Sequence, residues 1–325
     1  MEKTYDAGLD ASREFLVDIP PVPLWSETGA YSAFDPARGI GFWMHLGRFS
    51  YDPTLWHEAL IVYLPGGERL AFKNYGRGDL SRGPAGALMS LSCVEPFQRW
   101  EFRYDGPARR VTNDVLYAGG LAQGAEERLV VELTMDSVKP IWDLASQCHE
   151  EASWAHTHDQ QLSVARGRIV SDDGESAFEG CGWRDHSRGP RDMTGVVGHT
   201  LLGAWFPDDD RGFVATHVES EDGAFSGGRV FLGDADEPIT PVMPSWEDPA
   251  RLPDRFDVVL PALSADHAVG VEVLQVAPIT MEPPNHLSIG LVPTSGALAF
   301  GEGQARFTWD GRVGYGYVER SRRLA

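Results

Sequence analysis

Residues 178–192 read Phe-Glu-Gly-Cys-Gly-Trp-Arg-Asp-His-Ser-Arg-Gly-Pro-Arg-Asp, and nowhere else in the chain do glycines, an aromatic ring and ionisable groups crowd together so closely. Gly180 and Gly182 flank Cys181, which is typical of a strand that another backbone or a ligand approaches. Gly189-Pro190 indicates a turn. The stretch therefore predicts a strand that runs into a polar loop. Its three arginines, two aspartates and one histidine satisfy one another only in a folded, partly buried network, so this loop is the first candidate for chemistry.

Length and charge restrict the class of protein. At 325 residues the chain exceeds what one hydrophobic core usually serves, so two domains of ordinary size are expected. A hydrophobic content of 42% supports ordered cores. The formal net charge of −20 opposes long-range attraction to nucleic-acid phosphates or to an anionic membrane surface. We therefore expect a neutral or apolar small-molecule partner and no nucleic acid.

Neither a targeting segment nor a disulfide framework is indicated. The N-terminal residues lack a basic region followed by an apolar run, and no segment approaches the ~20 apolar residues of a membrane span. Three cysteines lie far apart, at Cys93, Cys148 and Cys181, with no Cys-x-x-Cys pair. We expect a cytoplasmic protein with reduced thiols and no membrane insertion, present as a monomer or a homodimer.

Short runs punctuated by 36 glycines and 22 prolines predict an all-β fold of sandwiches or barrels. Two short helices are predicted, at residues 5–17 and 140–151. A domain boundary near the second helix divides the chain into residues 1–155 and 156–325. The predicted strands are 41–49, 57–64, 68–75, 87–94, 98–104 and 127–133 in the first half, and 161–170, 175–182, 198–206, 212–218, 228–232, 255–260, 268–275, 286–292, 304–309 and 313–319 in the second.

The central stretch also resembles a known family. His158-Asp159-Gln160, then Gly167-Arg168-Ile169, then residues 180–192 are similar to the junction motif of proteins related to carotenoid 1,2-hydratase, also called hydroxyneurosporene synthase. Trp25-Ser26-Glu27 and residues 311–319 extend the resemblance over most of the chain. Members of that family are tandem lipocalin-like β-barrels, so the resemblance implies two such domains here. The family includes hydratases of isoprenoid double bonds, decalin-forming cyclases and lipid-handling proteins, so the resemblance implies fold more securely than reaction.

The resemblance assigns roles to two residues and marks one departure. Trp183 and Asp185 match the Trp-x-Asp of the family, in which the aspartate is the candidate acid of the hydratases. Arg188 stands where relatives usually have tryptophan. A missing aromatic wall and an added cation would suit a more polar or carboxylate-bearing substrate than a carotenoid.

Each candidate catalytic residue has a structural alternative. Protonation of an unactivated alkene needs a carboxyl group that stays protonated near neutral pH, which burial in apolar surroundings achieves by raising its pKa. Asp185 is either such a general acid or an ionised, structural partner of Arg184 or Arg191. His186 either supplies or relays the proton, as histidines can near neutral pH, or fixes the loop through both ring nitrogens.

Substrate-binding candidates are drawn from the motif and from the predicted strands. Arg188 and Arg191 flank the predicted turn, where an arginine fork would bind a carboxylate by two parallel hydrogen bonds; the alternative pairs Arg191 with Asp185 or Asp192. Strand residues of the types that line a barrel cavity are also candidates, with core packing as the alternative. The substrate-binding candidates are Trp183, Arg184, Arg188, Arg191, Trp205, His217, His45 and Tyr317.

The sequence contains little that indicates a metal site or a nucleotide-binding site. Residues 149–151, His156, His158 and Asp159 have metal-ligand types but lack His-Glu-x-x-His spacing and a cysteine pair, so a polar inter-domain linker is the favoured interpretation. No Gly-x-Gly-x-x-Gly or phosphate loop is present, so no cofactor is predicted. The sequence favours a cofactor-independent hydro-lyase, isomerase or cyclase that acts on an isoprenoid, steroid or polyketide-like molecule in a barrel or inter-domain pocket. The alternative is a non-catalytic carrier of a lipid or terpenoid.

Overall fold

A computed structural model describes residues 5–148, 157–244, 251–282 and 286–325. Most of these residues lie in antiparallel strands, joined by one short helix, α1 (Asn113–Tyr117), and by single 3-10 turns, of which the first is Ala11–Glu14. The strands are β1 (Trp25–Asp35), β2 (Ile40–Phe49), β3 (Asp52–Tyr63), β4 (Glu68–Gly76), β5 (Met89–Glu95), β6 (Arg99–Thr112), β7 (Ala125–Ser137), β8 (Trp142–Asp143), β9 (Thr157–Ser171), β10 (Gly174–Pro190), β11 (Val196–Phe206), β12 (Arg211–Ser220), β13 (Gly223–Leu232), β14 (Ala235–Ile239), β15 (Arg255–Pro261), β16 (Asp266–Glu282), β17 (His286–Ile289), β18 (Leu298–Trp309) and β19 (Arg312–Arg323).

Strands β1 to β10 form the first sheet, in the order β10-β1-β2-β3-β4-β6-β7-β9-β8, with β5 added beside β6. Because β10 pairs with β1 and also with β9, the sheet closes on itself as a barrel. Its interior is filled by a cluster drawn only from this sheet and its connections, including Phe42, Trp56 and Phe102. Closure leaves β10 with a hydrogen-bonded neighbour on each side, which fixes the direction of every side chain of the central motif.

Strands β11 to β19 form the second sheet, in the order β14-β13-β12-β11-β19-β18-β16-β15, with β17 beside β16. The sheet curls, because Val242, just after β14, forms a bridge with Val259 of β15 at the opposite edge. Its interior holds a separate apolar cluster that includes Phe213, Phe307 and Trp309. Two curled antiparallel sheets confirm the predicted all-β fold of two lipocalin-like units.

A third apolar cluster joins the two units through their outer faces. It contains Trp43 and Trp183 from the first sheet and Val214, Phe300 and Tyr317 from the second. Side chains alternate across a strand, so residues that neighbour the barrel interior in sequence point outward into this interface. On β2, Phe42 and Met44 belong to the barrel interior, whereas Trp43 belongs to the interface. The alternation of side chains along the strands therefore supplies the apolar residues of the interface as well as those of the two interiors.

The glycines of the central motif serve close approach between backbones. A Cβ on Gly180 would lie 2.4 Å from the carbonyl oxygen of Phe34, and one on Gly182 would lie 2.8 Å from the Ser163 hydroxyl. At Gly180 the obstacle is backbone, so only glycine fits; at Gly182 a Cβ would require the Ser163 side chain to move and would lie 3.0 Å from the carbonyl oxygen of Ser32. The expected approach of a second backbone to this strand is confirmed.

The loop predicted after residue 182 is instead strand. β10 continues through Gly189 to Pro190, which pairs with Trp25 at the start of β1. Proline is tolerated at that place because β9 pairs with β10 only as far as Arg188, so β1 is the one hydrogen-bonded neighbour of the strand at Pro190. Strand β1 was not predicted, and its pairing with β10 keeps the motif extended. Four of the six ionisable side chains that were assigned to one loop, Arg184, Asp185, His186 and Arg188, therefore project from a strand and are divided between its two faces, whereas Arg191 and Asp192 follow its end.

Neither predicted helix forms. Within residues 5–17 only one 3-10 turn is present, Ala11–Glu14, because Glu14 turns inward into a buried ion pair and the chain then continues extended. In the second segment Trp142 and Asp143 pair with β9, followed by the turn Ala145–Gln147. Residues 149–151 of that segment lie outside the described residues. No helix in the described ranges is long and apolar enough to cross a membrane.

The chain passes from the first sheet to the second between β10 and β11, at residues 191–195. Strands β9 and β10, which follow residue 156, are hydrogen-bonded into the first sheet. The hydrogen bonding thus establishes a division into two sheets near residue 193, whereas the division into domains at residue 155 stays a prediction.

Candidate functional site

A cavity lies between the two sheets, at the interface of their outer faces. Its volume is about 90 Å³, several times what one water molecule requires. The first sheet contributes Thr28, Ala30, Trp43, His45, His158, Trp183 and Asp185 to the cavity wall. The connection between β10 and β11 contributes Arg191 and Met193. The second sheet contributes Val196, His199, Leu201, Thr216, Val218, Met281, Leu287, Phe300, Glu302, Tyr317 and Glu319. Apolar and aromatic side chains make most of this wall, and the polar ones are mainly carboxyl groups, histidines and one arginine.

The alternation of β10 divides the central motif between two environments. Trp183 and Asp185 point outward and line the cavity. Arg184, His186 and Arg188 are even-numbered neighbours and point the other way, into the open end of the first barrel. Because successive side chains of a strand point to opposite faces, residues that were predicted to form one network lie in two separate places.

Asp185 is held in the cavity wall by two side chains of β9. Its Oδ2 atom forms a short hydrogen bond with Nε2 of His158 and accepts a second, of 3.3 Å, from the Gln160 amide. Gln160 donates also to the Thr216 hydroxyl of the second sheet, at 3.3 Å. Arg184, one of the two arginines expected to pair with this carboxyl group, lies on the other face of β10. The carboxyl group is therefore coupled to a histidine with which it can exchange a proton.

On the opposite sheet, two glutamates face one tyrosine. Glu302 of β18 and Glu319 of β19 are cross-strand partners, and the Tyr317 hydroxyl forms short hydrogen bonds with a carboxyl oxygen of each. The Tyr317 ring stacks on Trp183, with centroids 4.2 Å apart and planes 8° apart. Glu319 also forms a short contact with Nε2 of His199, whose Nδ1 lies 2.7 Å from the Ser321 hydroxyl.

The pKa values of these two carboxyl groups shift in opposite directions. Burial, followed by the nearby charge of Glu319, raises the pKa of Glu302 well above its ordinary value. Burial alone would raise the pKa of Glu319 too, but the charge and hydrogen bond of His199 outweigh it and lower that pKa to about 2. One carboxyl group is thus kept neutral and its neighbour ionised.

Basic groups complete the polar part of the wall. Arg191 donates to the Ser187 hydroxyl at 2.7 Å and to Thr28 at 3.3 Å. Burial lowers the pKa of the Arg191 guanidinium, and the charges of Asp185 and Glu319 oppose that shift. Burial, followed by the charge of Arg191, lowers the pKa of His45 to about 4. His45 is therefore a neutral ring at physiological pH.

The other face of the motif forms a structural network. Arg184 forms a buried bidentate ion pair with Glu14, which accepts a further hydrogen bond of 2.9 Å from the Trp100 indole. Glu27 accepts from Arg48 and from Arg188, each at 2.9 Å, and lies 3.4 Å from His186. Burial alone would raise the pKa values of Glu14 and Glu27, but their cationic partners lower both to about 2. These pairs attach the N-terminal segment to the mouth of the first barrel.

Of the sequence candidates, the cavity brings together Trp183, Asp185, Arg191, His45 and Tyr317. Arg184, His186 and Arg188 lie in the barrel mouth. Trp205 packs beneath the ammonium group of Lys139, 5.0 Å from its ring centroid, and His217 bonds Ser226 on the next strand. Neither of these two lines the cavity.

Sequence analysis missed several wall residues. His158 was noted in the family motif and among possible metal ligands but was not selected as a site residue, and neither were Glu302, Glu319 and His199. Glu302 carried one signal, since it is the only charged residue in the run from Ala297 to Gly303. An acidic group there is exposed, held by a buried partner or used in chemistry, so it is a candidate for a functional site.

No group of three or more His, Cys, Asp or Glu side chains in the described part of the chain is arranged to hold a metal ion. Residues 149–151 and His156, which were considered as metal ligands and interpreted instead as part of a polar linker, lie outside the described residues. His158 is engaged with Asp185 instead. Proton transfer is the chemistry that the described cavity wall can perform, because its polar groups are proton donors and acceptors set among apolar side chains.

Solved structures with the same fold were found at low sequence identity. An AttH-type protein from Nitrosomonas europaea is 13% identical with a TM-score of 0.60, covering 93% of this chain and 94% of its own. CghA is 10% identical with a TM-score of 0.56, covering 93% and 89%. Kievitone hydratase from Nectria haematococca is 7% identical with a TM-score of 0.55, covering 91% and 88%. These likenesses support the tandem lipocalin-like fold that the central motif implied, and a carotenoid-hydratase assignment stays a prediction.

Comparison of the sequence with protein families gives a more direct assignment. No curated protein gives a significant match. A family described as a domain of unknown function, DUF7064, matches residues 18–323. That span includes both sheets and the whole of the cavity wall described above. The chain therefore belongs to the DUF7064 family.

Proposed function

We propose that the chain is a cofactor-independent enzyme that transforms a hydrophobic small molecule by acid/base chemistry in the cavity between its two sheets. The observation that carries this proposal is the wall itself, in which Asp185 and His158 stand among aromatic and aliphatic side chains. A carrier needs only the apolar part of such a wall. Buried carboxyl groups and a histidine beside it serve no purpose in binding an apolar ligand, and each costs free energy to bury.

The reaction class follows from what these groups can move. A substrate alkene that takes a proton from a protonated carboxyl group of the wall becomes a carbocation, because its π electron pair forms the new C–H bond, and the donor is left as a carboxylate. Water then forms a C–O bond and loses a proton to Asp185, which gives hydration. Alternatively, Asp185 takes a proton from a neighbouring carbon, which gives isomerisation or, after ring closure, cyclisation. The reverse of the first path is elimination. His158 accepts the proton from Asp185 in hydration, isomerisation and cyclisation, and returns it to Asp185 in elimination.

The solved neighbours support a small-molecule substrate. One of them is named as a hydratase of kievitone, and CghA has been solved with Sch210972. Both share the fold of this chain, and the coarse class of a cofactor-free enzyme on a hydrophobic molecule is consistent with them. An isoprenoid, steroid or polyketide-like substrate would match the apolar wall.

Deuterium incorporation tests the proposal whatever the product is. Geraniol, farnesol and kievitone are incubated with the protein in D₂O, and mass spectrometry detects deuterium on carbon in product or recovered probe. We expect incorporation from at least one probe, because a protein acid in D₂O delivers deuterium to carbon. Ala30→Phe should abolish it by filling the cavity, whereas Ala177→Phe, at an exposed site of β10, should not.

The same probes separate an enzyme from a carrier. Binding is followed by displacement of N-phenyl-1-naphthylamine, a neutral apolar dye. Probes that displace the dye and bind in the cavity, yet gain no deuterium, would contradict the enzyme and favour a lipid or terpenoid carrier. Displacement that survives Ala30→Phe would place binding outside the cavity.

Arg191 is expected to select for acidic ligands. Its guanidinium is the one arginine in the described cavity wall, whereas Arg188 is engaged with Glu27. A charged hydrogen bond to a ligand carboxylate is worth ~1.5 to 3 kcal/mol, or about tenfold and more in affinity. Arg191→Gln should therefore weaken farnesoic acid at least about tenfold and spare farnesol in the dye assay. Arg188→Gln is the control, and equal weakening of both ligands by Arg191→Gln would contradict an anchor.

A further inference from the structure

The geometry points to Glu302 as the residue that delivers the proton to the substrate, with Tyr317, Glu319 and His199 as the path that restores it. This inference rests on the proposed function and assigns the acid of that reaction. It gives Asp185 the complementary role of proton acceptor. None of the four residues was linked to proton delivery by the sequence.

Counting hydrogens locates a proton on the glutamate pair. The Tyr317 hydroxyl lies within hydrogen-bonding distance of both carboxyl groups. A phenol has one hydrogen, so it can donate to one oxygen and must accept from the other. The accepted bond requires a carboxylic hydrogen. With both glutamates ionised, two negative charges on adjacent strands would share that single hydrogen in a buried place, which is strongly unfavourable.

The surroundings decide which glutamate holds the proton. His199 contacts Glu319 and is itself oriented by Ser321, so the negative charge is stabilised at Glu319. Glu302 forms no ion pair among the described residues and is 3% exposed. Burial accordingly raises its pKa, while that of Glu319 is lowered. The resulting chain of bonds runs from Glu302 to the Tyr317 oxygen, and from the Tyr317 hydroxyl to Glu319.

Glu302 is also held in place for a proton transfer. The Tyr63 hydroxyl of β3 donates to its backbone carbonyl at 2.8 Å, which attaches β18 to the first sheet at this residue. Its side chain lines the cavity together with the stacked rings of Trp183 and Tyr317. A rigid acid beside an aromatic surface suits protonation of an alkene, because the rings favour the cation that forms.

Protons and electrons balance in the step. The π electrons of the substrate double bond take the proton of Glu302, a C–H bond forms and Glu302 becomes a carboxylate. The cation then gains water or loses a neighbouring proton, and the released proton goes to Asp185 and His158. To restore Glu302, Glu319 first takes a proton that His199 brings from solvent, then passes it to the Tyr317 oxygen as Tyr317 gives its own hydrogen to Glu302; Asp185 and His158 return their proton to solvent. Two carboxyl groups in one cavity thus have opposite roles, set by their environments.

Infrared spectroscopy tests the proton on Glu302 without any substrate. Wild-type protein near pH 7 should show a carboxylic-acid C=O band above the amide bands, and Glu302→Gln should lack it. Glu58→Gln is the matched control, because Glu58 is equally buried but accepts hydrogen bonds from the backbone amides of Leu88 and Met89. An acid band unchanged in Glu302→Gln would overturn the inference, whether or not the protein is an enzyme.

Deuterium incorporation into geraniol, farnesol and kievitone tests delivery. Glu302→Gln should lower its rate by about 10²- to 10⁴-fold, the usual contribution of a general acid. Glu302→Asp, which keeps an acid, should recover part of the rate, and thermal unfolding verifies that both variants fold. Wild-type incorporation that survives in folded Glu302→Gln overturns the inference and leaves the enzyme proposal standing. No incorporation by wild type counts against the proposed function, and the infrared band then decides whether Glu302 holds the proton.

Discussion

Replacing Glu14 by glutamine is expected to lower the free energy of unfolding by about 3 to 5 kcal/mol, because it leaves a buried guanidinium without its counter-charge. Arg184 is 2% exposed and Glu14 is 3% exposed. Their ion pair is bidentate, and the Arg184 guanidinium also lies 5.3 Å from the centroid of the Trp100 ring. Glutamine keeps the shape of the side chain and removes only its charge. Urea unfolding followed by circular dichroism measures the change.

A double variant separates the ion pair from the packing around it. Glu14→Gln together with Arg184→Met removes both charges, so it should recover much of the stability that Glu14→Gln alone loses. Arg77→Gln is the control, since its ion pair with Asp52 is largely exposed and should matter little. A loss below about 1 kcal/mol in Glu14→Gln would mean that the N-terminal segment is not attached by this pair.

The same pair predicts the response to acid. Its partners lower the pKa of Glu14 to about 2, from an ordinary value of 4.5. A carboxyl group whose pKa is lower in the folded state stabilises the fold above the ordinary value, and that stabilisation is lost as the pH falls toward the folded pKa. Wild-type stability should therefore fall between about pH 4.5 and 2 more steeply than that of Glu14→Gln. If the stability of wild type and of Glu14→Gln fell equally over this pH range, Glu14 would not be the source of the acid sensitivity.

Strands could be predicted from the sequence where they have one buried face or are bounded by glycine and proline. Glycine and proline separate most strands, and the break predicted between strands 57–64 and 68–75 coincides with the Pro65–Gly67 turn between β3 and β4. Strand β1 was missed because it is buried on both faces, between the barrel interior and the second sheet, so its residues show no alternation. Its buried polar residues, such as Glu27, are satisfied by partners far away in sequence. The local sequence around a buried polar residue does not reveal such a distant partner.

The site was predictable only in part, for a related reason. Trp183, Asp185 and Arg191 belong to one motif and were found together. The partition of β10 into two faces could have been predicted had the motif been recognised as strand, since odd and even residues then separate. Glu302 and Glu319 meet through the pairing of β18 with β19. That register depends on tertiary structure, so spacing along the sequence does not reveal the pair.

Asp185→Asn is expected to lower the rate of deuterium incorporation or product formation by about 10²- to 10⁴-fold. Asparagine keeps the size and hydrogen-bonding shape of the side chain but cannot take up a proton. Displacement of N-phenyl-1-naphthylamine by the same probes should be unchanged, because the apolar wall is intact. If the protein is an enzyme, Asp185→Asn should therefore lose turnover and keep its affinity for the probes. Reaction rates on geraniol, farnesol and kievitone measure turnover, and dye titrations with the same probes measure affinity.

Asp192→Asn is the matched control for this variant. Asp192 belongs to the same motif but accepts hydrogen bonds from Thr194, at 2.9 and 2.6 Å, and does not line the cavity. It should keep wild-type turnover. Full activity in folded Asp185→Asn would exclude Asp185 as the proton acceptor and direct attention to His158, because His186 faces the barrel mouth and is 3.4 Å from Glu27. Loss of affinity together with turnover would instead show that Asp185 shapes the cavity, since a group that only moves protons leaves the binding of an apolar dye unaltered.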